Sequence, residues 1–395
     1  MHSPSADRYD VLVVGARCAG AATAMLLARA GLRVLVVDRA ESGTDTLSTH
    51  ALMRAGVLQL AKWGLLESVI AAGTPAITQT HFDYGTHAAT VPIRATAGVP
   101  ALYAPRRTVL DALLLDKAAA AGAHVTLGVN ITGVHHDRLG RVCGVTGRDR
   151  RNVFHAYAPL VIGADGLRST IAEAVGAPVT KRGRSAGAVW YSYVTGLANE
   201  GYRWFYRPGA AAGFIPTNGG ATCVFAGMPA SLFGVSRVQD HRQALADAFA
   251  RAAPRAAAEL RAAVPAGPVR GWPGVPSLIR AAHGPGWALV GDAGYFKDPL
   301  GTHGITQALR DAQLLAESIV SGHGGSEPIE TALARYERTR DELSADLFTA
   351  TDAIASYDWD LREVHRLLRR LSGAMSQEVE LLTSGCATAS VVRTA

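Results

Sequence analysis

The sequence predicts an α/β protein, and three observations carry that expectation. Short apolar runs at Tyr9–Val14, Leu160–Gly163 and from Trp287 to Gly291 each lead into a glycine-bearing turn and then a helical stretch; this is how buried parallel strands feed crossover helices. Two blocks between them, Thr78–Ile93 and about Lys181–Met228, alternate apolar with polar residues and are rich in aromatics, as antiparallel strands are. From about Glu327 onward the spacing becomes helical with mixed charge. The implied architecture is a Rossmann-like domain assembled from residues 1–75, 100–180 and 280–325. It is interleaved with a mixed or antiparallel β-sheet domain from 76–99 and 181–279, and followed by a C-terminal helical segment, 326–395.

Tyr9–Val14 ends at Gly15, and residues 15–20 read GARCAG. An Ala-rich helix is expected from Ala19 to about Ala30 with Gly31 as its stop, then a second strand, Leu32–Val37, that ends on Asp38. Strand, tight turn, helix, strand and acid, with the acid 23 positions after the first glycine, is the order of a dinucleotide-binding unit. The turn residues Gly15, Ala16, Arg17, Cys18, Ala19 and Gly20 would face the pyrophosphate with backbone N–H groups and the helix dipole. Asp38, followed by Arg39, would receive the ribose hydroxyls. Arg17 departs from the usual fingerprint, which has glycine there; its guanidinium is expected to turn aside onto phosphate or a neighbouring loop.

Three further segments extend the pattern: PRRTVLD from Pro105, LVIGADGLRST from Leu160 and WALVGDAGYFKDP from Trp287. In order and spacing they resemble the RxxL, DG and GD motifs of the class A flavin monooxygenases, the para-hydroxybenzoate hydroxylase family, over roughly residues 8–325. The resemblance implies FAD. Arg107 would contact flavin or pyrophosphate, and Asp165 would brace the nucleotide region, with a helix N-cap as its alternative role. Gly291 and Asp292 would receive a ribityl hydroxyl. Pro299, Gly301, His303 and Gly304 would pass close to the isoalloxazine, the helix beginning near Gly304 aiming its N-terminus at the ring. Two departures stand out: Tyr295 occupies the slot where the family often has His, and no Arg closes the DG motif. The Gly291–Ile305 segment also resembles geranylgeranyl-reductase-type FAD enzymes, which reduce carbon–carbon double bonds.

On the substrate side, period two puts Tyr191 and Tyr193 on one face, opposite Trp190 and Ser192, and gives Trp204 and Tyr206 a common face. Such an aromatic wall suits a flat, apolar substrate; ordinary sheet packing is the alternative. His50, after Leu47-Ser48-Thr49, is the polar candidate for catalysis, as a base on a phenol. Its alternative is a satisfied helix-start residue.

The remaining composition narrows the class. Net charge is +6, but Lys and Arg are scattered, so nucleic acid is not an expected partner. Four cysteines without a CxxC pair argue against zinc and against a disulfide framework. The polar N-terminus and the lack of a long apolar run point to a cytoplasmic protein with no membrane partner. Arg369-Arg370 would lie on a solvated helical face, with a homodimer contact as the alternative, and the tail from Cys386 is expected to fray. With one dinucleotide unit, NAD(P)H would bind transiently. The leading expectation is an NAD(P)H-dependent hydroxylase or epoxidase of an aromatic or polycyclic small molecule, using molecular oxygen through a flavin C4a-hydroperoxide. A double-bond reductase or dehydrogenase, or a non-catalytic flavin-binding protein, are the alternatives. The halogenase Trp-x-Trp-x-Ile-Pro segment is missing: Ala211 and Gly213 precede Ile215-Pro216.

Overall fold

A computed structural model describes residues 9–41, 43–233 and 240–389, with side chains up to Ser384. The expectations for residues 1–8 and for the last residues of the tail lie outside the described ones. The helices are α1 Cys18–Arg29, α2 Arg54–Lys62, α3 Leu66–Ala71, α4 Arg107–Ala120, α5 Thr170–Ala174, α6 His241–Ala252, α7 Ala257–Ala262, α8 Gly304–His323, α9 Ile329–Ala355 and α10 Leu361–Ala389.

Strands Trp287–Leu289, Leu160–Gly163, Val11–Val14, Val34–Asp38 and His124–Leu127 lie side by side in that order and in parallel, with His283–Gly284 antiparallel at one edge. Val11 pairs with Val34 on one side and Leu160 on the other. The central strands show no alternation because both faces are buried. Val11, Val13, Val34 and Val36 join the core shared with α1 and α8. Leu12, Val14, Leu35 and Val37 join a second core beneath the three-stranded sheet 130–157. The Ala-rich α1 packs closely on α4 and α8, since short side chains let backbones approach.

The second large sheet has eight strands, running Val264–Pro265, Gly187–Thr195, Thr222–Pro229, Ala210–Pro216, Tyr202–Arg207, Gln79–Asp83 and Ala88–Pro92, with Arg270–Trp272 also on Gly187–Thr195. Its pairings are antiparallel except one seam, where Tyr202–Arg207 runs parallel to Gln79–Asp83. The expected faces are observed: Tyr191, Tyr193, Trp204 and Tyr206 point into the large shared core, while Trp190, Phe205 and Phe214 pack under α6.

The C-terminal segment is more deeply integrated than a solvated helical face implies. Arg369 and Arg370 are exposed, but Val364, Leu367, Leu371 and Ala374 on the other side of α10 are buried. The α9–α10 corner puts Tyr357 and Trp359 into the core, Trp359 edge-on to Tyr206 at 6.3 Å. Among the described residues no helix is long and apolar enough to cross a membrane.

Candidate functional site

The turn after the first strand is built by backbone contact. Gly15 has φ +108°, and a Cβ there would sit 2.4 Å from the Ala164 carbonyl oxygen; one at Gly20 would sit 1.8 Å from the Gly15 oxygen. Neither position admits a side chain. Arg17 differs, with an ordinary φ of −87° at the N-cap of α1, so glycine is not required by conformation. Its guanidinium turns aside to Asp111 of α4, 3.7 Å away, rather than across the helix N-terminus. Asp111 also takes Arg107 at 3.0 Å and the Cys18 thiol at 2.9 Å, tying the starts of α1 and α4 together. Asp38 accepts from the backbone N–H groups of Ala16 and Ala40, at 2.6 and 2.7 Å. The acid therefore shapes the turn while lining the cleft beside it.

From this turn a cleft of about 450 Å³ runs along the carboxyl ends of the parallel strands, where open α/β sheets receive ligands. Gly15, Arg17, Cys18, Ala19, Asp38 and Arg39 line the cleft, as do Arg107, Asp165 and Asp292, and also His50, Pro299 and Gly304. Ala16 borders a smaller recess beside Asp38. Gly20, Gly291, Gly301 and His303 stand behind the wall. Gly291 is needed where its Cβ would strike Ala19, and Gly301 where a Cβ would strike Thr351 of α9.

Asp165 takes the capping role. Its carboxylate accepts from Ser169 Oγ and from the backbone of Thr170 at 2.7 Å, holding the start of α5, where Ser169 is itself the N-cap; such a cap contributes roughly 1 kcal/mol. Asp292 is partly buried on the cleft wall. Burial raises its carboxyl to about 6, with Lys297 and Arg107 opposing the rise.

The segment around Pro299 contains residues that the motifs do not disclose. Lys297 is buried and lines the cleft; its ammonium donates to Gln307 of α8, and burial and Arg310 push it down to about 7 against Glu378, Asp311 and Asp292. The visible signal was a lysine lodged between Phe296 and Asp298 in an otherwise apolar strand and turn. Asp298 accepts from Gly187 at 2.6 Å and Leu300 at 3.0 Å, joining the turn to the eight-stranded sheet. His303 faces away from the cleft, its Nε2 2.7 Å from Glu378 of α10.

The structure places the four candidate aromatics off the cleft wall. Trp204 and Tyr206 line no part of the cleft: Tyr202 and Phe225 flank Trp204, and Tyr84 and Trp359 flank Tyr206. Tyr191 and Tyr193 are likewise buried, and Tyr193 reaches the site only through His50. The aromatic rings on the cleft are Trp272 and Phe296, edge to face at 6.4 Å. His50 has φ +66°, its Nε2 is hydrogen-bonded to the Tyr193 hydroxyl, and Arg106 lies 3.7 Å over the Tyr193 ring. Burial, then Arg106 and Arg107, hold His50 down to about 3, so it is a neutral imidazole. Its Nδ1 is buried with no partner among the described residues.

These features fit a dinucleotide cofactor. Side-chain-free glycines line or support the cleft at the turn, a Cβ at Gly304 would project into open space at the α8 N-terminus, and the buried Arg17 Nη1 lacks a hydrogen-bond partner. The fold and cleft thus define an α/β dinucleotide-binding flavoprotein. The profile described as FAD binding domain matches residues 8–351, and the chain belongs to that family, the class A flavoprotein monooxygenase family. FAD is its cofactor, and it is an FAD-dependent oxidoreductase. Over 357 residues the chain is 27% identical to a digeranylgeranylglycerophospholipid reductase of Methanocella arvoryzae, covering 86% of this chain and 85% of that one. It is 29% identical to a menaquinone reductase of Mycolicibacterium smegmatis, covering 80% and 77%. A crystal structure of Pseudomonas aeruginosa PqsL in complex with 2-aminobenzoylacetate matches with a TM-score of 0.79 at 21% identity, over 94% of this chain and all of that one.

Proposed function

We propose that the chain is an NAD(P)H-dependent monooxygenase that hydroxylates or epoxidises an aromatic or polycyclic small molecule. Bound FAD supplies the hydride-accepting and oxygen-activating chemistry. The observation that carries the reading is the pairing on the cleft wall of the apolar Trp272, Phe296 and Pro299 with His50, a neutral imidazole. Gly15, Arg17, Asp38 and Arg39 would hold the adenosine and pyrophosphate, Arg107 and Asp292 the middle of the cofactor, and Pro299 and Gly304 the ring. An apolar wall excludes water from the reacting centre. His50 Nδ1 is free to hydrogen-bond a substrate oxygen, with the Tyr193 hydroxyl fixing the ring from Nε2. A group held near 3 does not ionise a phenol on its own; it orients the substrate oxygen through a hydrogen bond.

A second reading, FAD-dependent reduction of a carbon–carbon double bond, is favoured by the two reductases to which the sequence is similar across most of its length. One experiment separates them. NAD(P)H oxidation stimulated by a panel of aromatic and polyprenyl compounds is measured in air and under argon, with mass analysis of products under isotopically labelled oxygen. Oxygenation requires oxygen and leaves one labelled atom in the product; turnover under argon with a product heavier by two hydrogens would establish the reductase reading instead.

A further inference from the structure

A cluster of buried charges lies behind the cleft wall and reaches out to α10. The apolar stripe of that helix, Val364, Leu367, Leu371 and Ala374, repeats at alternating intervals of three and four, and its next position is Glu378. Glu378 is 1% exposed. Its Oε1 accepts from Arg310 Nη1, and its Oε2 lies 2.7 Å from His303 Nε2. Arg310 is bound in turn to Asp311 at 2.7 Å and to Ser344 of α9 at 3.0 Å. His303 is the N-cap of α8, between Thr302, with φ +50°, and Gly304, both on the cleft wall.

A carboxylate is costly to bury unless cations and hydrogen bonds surround it. Burial alone would raise Glu378, but His303 and Arg310 outweigh it and hold the group down to about 2. Glu378 and Asp311 balance Arg310 and Lys297, while burial lowers His303 against the opposing pull of Glu378. The groups facing Lys297 are His303, Arg310 and Asp311 of α8, Glu378 of α10, and Asp292 and Tyr295 on the strand-and-turn segment leading to it. Glu378 is therefore the buried charge that α10 places behind the wall of the cofactor cleft.

We propose that Glu378 is a positioning residue of the FAD site: from α10 it holds Arg310 of α8 and His303, the N-cap between Thr302 and Gly304 on the cleft wall, and its charge offsets the Lys297 ammonium on that wall. The inference rests on the FAD family and is the same whether the reaction is oxygenation or reduction, so its failure leaves that choice untouched.

The test is FAD affinity as a function of pH, read by flavin fluorescence on the full-length protein stripped of FAD and reloaded. The wild type shows a break near neutrality. Glu378→Gln keeps the side-chain shape and removes the charge; it moves the break to lower pH and weakens FAD about tenfold at pH 7. Glu378→Asp keeps the wild-type break even with reduced affinity. Lys297→Met abolishes the break, which separates it from any titration of Asp292. Leu371→Ala, on the same helix, lowers the melting temperature and leaves the break in place. A wild-type break and affinity in Glu378→Gln, or an equal displacement by Leu371→Ala, would overturn the proposal. If Glu378→Gln does not fold, loss of the break in Glu378→Asp overturns it and retention supports it.

Discussion

Asp292 shows how one residue can work against the empty protein and for the complex. Its ordinary carboxyl range lies near 3.8, and burial raises it to about 6. A folded-state value above the unfolded one means that stability is lost as pH rises between those values, because the unfolded chain ionises more readily. Asp292→Asn should therefore stabilise the FAD-free protein at pH 8 by on the order of 1–3 kcal/mol, measured by urea unfolding. The same change should weaken FAD by roughly tenfold or more, since a charge-assisted hydrogen bond to the cofactor is lost. An FAD affinity equal to wild type would remove Asp292 from the cofactor site. Arg17 is the opposite case. Its ion pair to Asp111 is long and one-third exposed, and glycine is acceptable at an N-cap. Arg17→Gly, which restores the usual fingerprint, should change unfolding free energy by less than about 1 kcal/mol.

At the scale of elements, two glycines at two helix starts separate folding from binding. Gly20 lies in the first turn of α1, where a Cβ would overlap the Gly15 oxygen at 1.8 Å; no rotamer relieves a clash with backbone. Gly20→Ala should cost several kcal/mol and yield little folded protein by circular dichroism. Gly304 opens α8 with nothing within 4 Å of an added Cβ, so Gly304→Ala should leave the FAD-free melting temperature unchanged or slightly higher. The methyl group points into the cleft, and FAD affinity should fall by about tenfold or more; undiminished affinity would move the ring away from this helix. The same contrast explains what the sequence disclosed. The turn around Gly15 and the strand ends at Asp38, Gly163 and Gly291 were legible because buried parallel strands are short apolar runs and their turns demand glycine. Lys297 is visible as a lysine in an apolar stretch, but its place on the cleft was not legible because sequence spacing does not report burial. Glu378 was overlooked because a carboxylate on an apolar stripe reads as surface until Arg310 and His303, far away in the chain, are brought to it. Trp204 and Tyr206 were correctly placed on one face, but what covers a face is decided by the α9–α10 corner, a tertiary fact that period two does not contain.

At the scale of the whole molecule, the two sheets are built from alternating stretches of chain, and although each keeps a smaller core on its far face, they share the largest one. One continuous core joins Val11 and Val13 of the parallel sheet, Tyr191 and Trp204 of the eight-stranded sheet, Leu309 of α8, and Leu367 and Leu371 of α10. Melting either sheet alone would strand the aromatic face of the other against water, at roughly 1.5–3 kcal/mol for each large apolar side chain exposed. Unfolding in stages is therefore disfavoured, although chains of this length often unfold domain by domain. Calorimetry of the FAD-free protein should show one transition, with equal calorimetric and van't Hoff enthalpies. Two separated peaks would show that the sheets unfold independently. FAD, bound only by the folded cleft, should move that single peak upward without splitting it, by the equivalent of about 2.7 kcal/mol at a hundredfold excess over its dissociation constant. The cleft draws its walls from both sheets and from α8, through Asp38, Trp272 and Gly304. The cofactor should consequently stabilise the whole cooperative unit, and an FAD-induced shift confined to part of the transition would contradict the shared core.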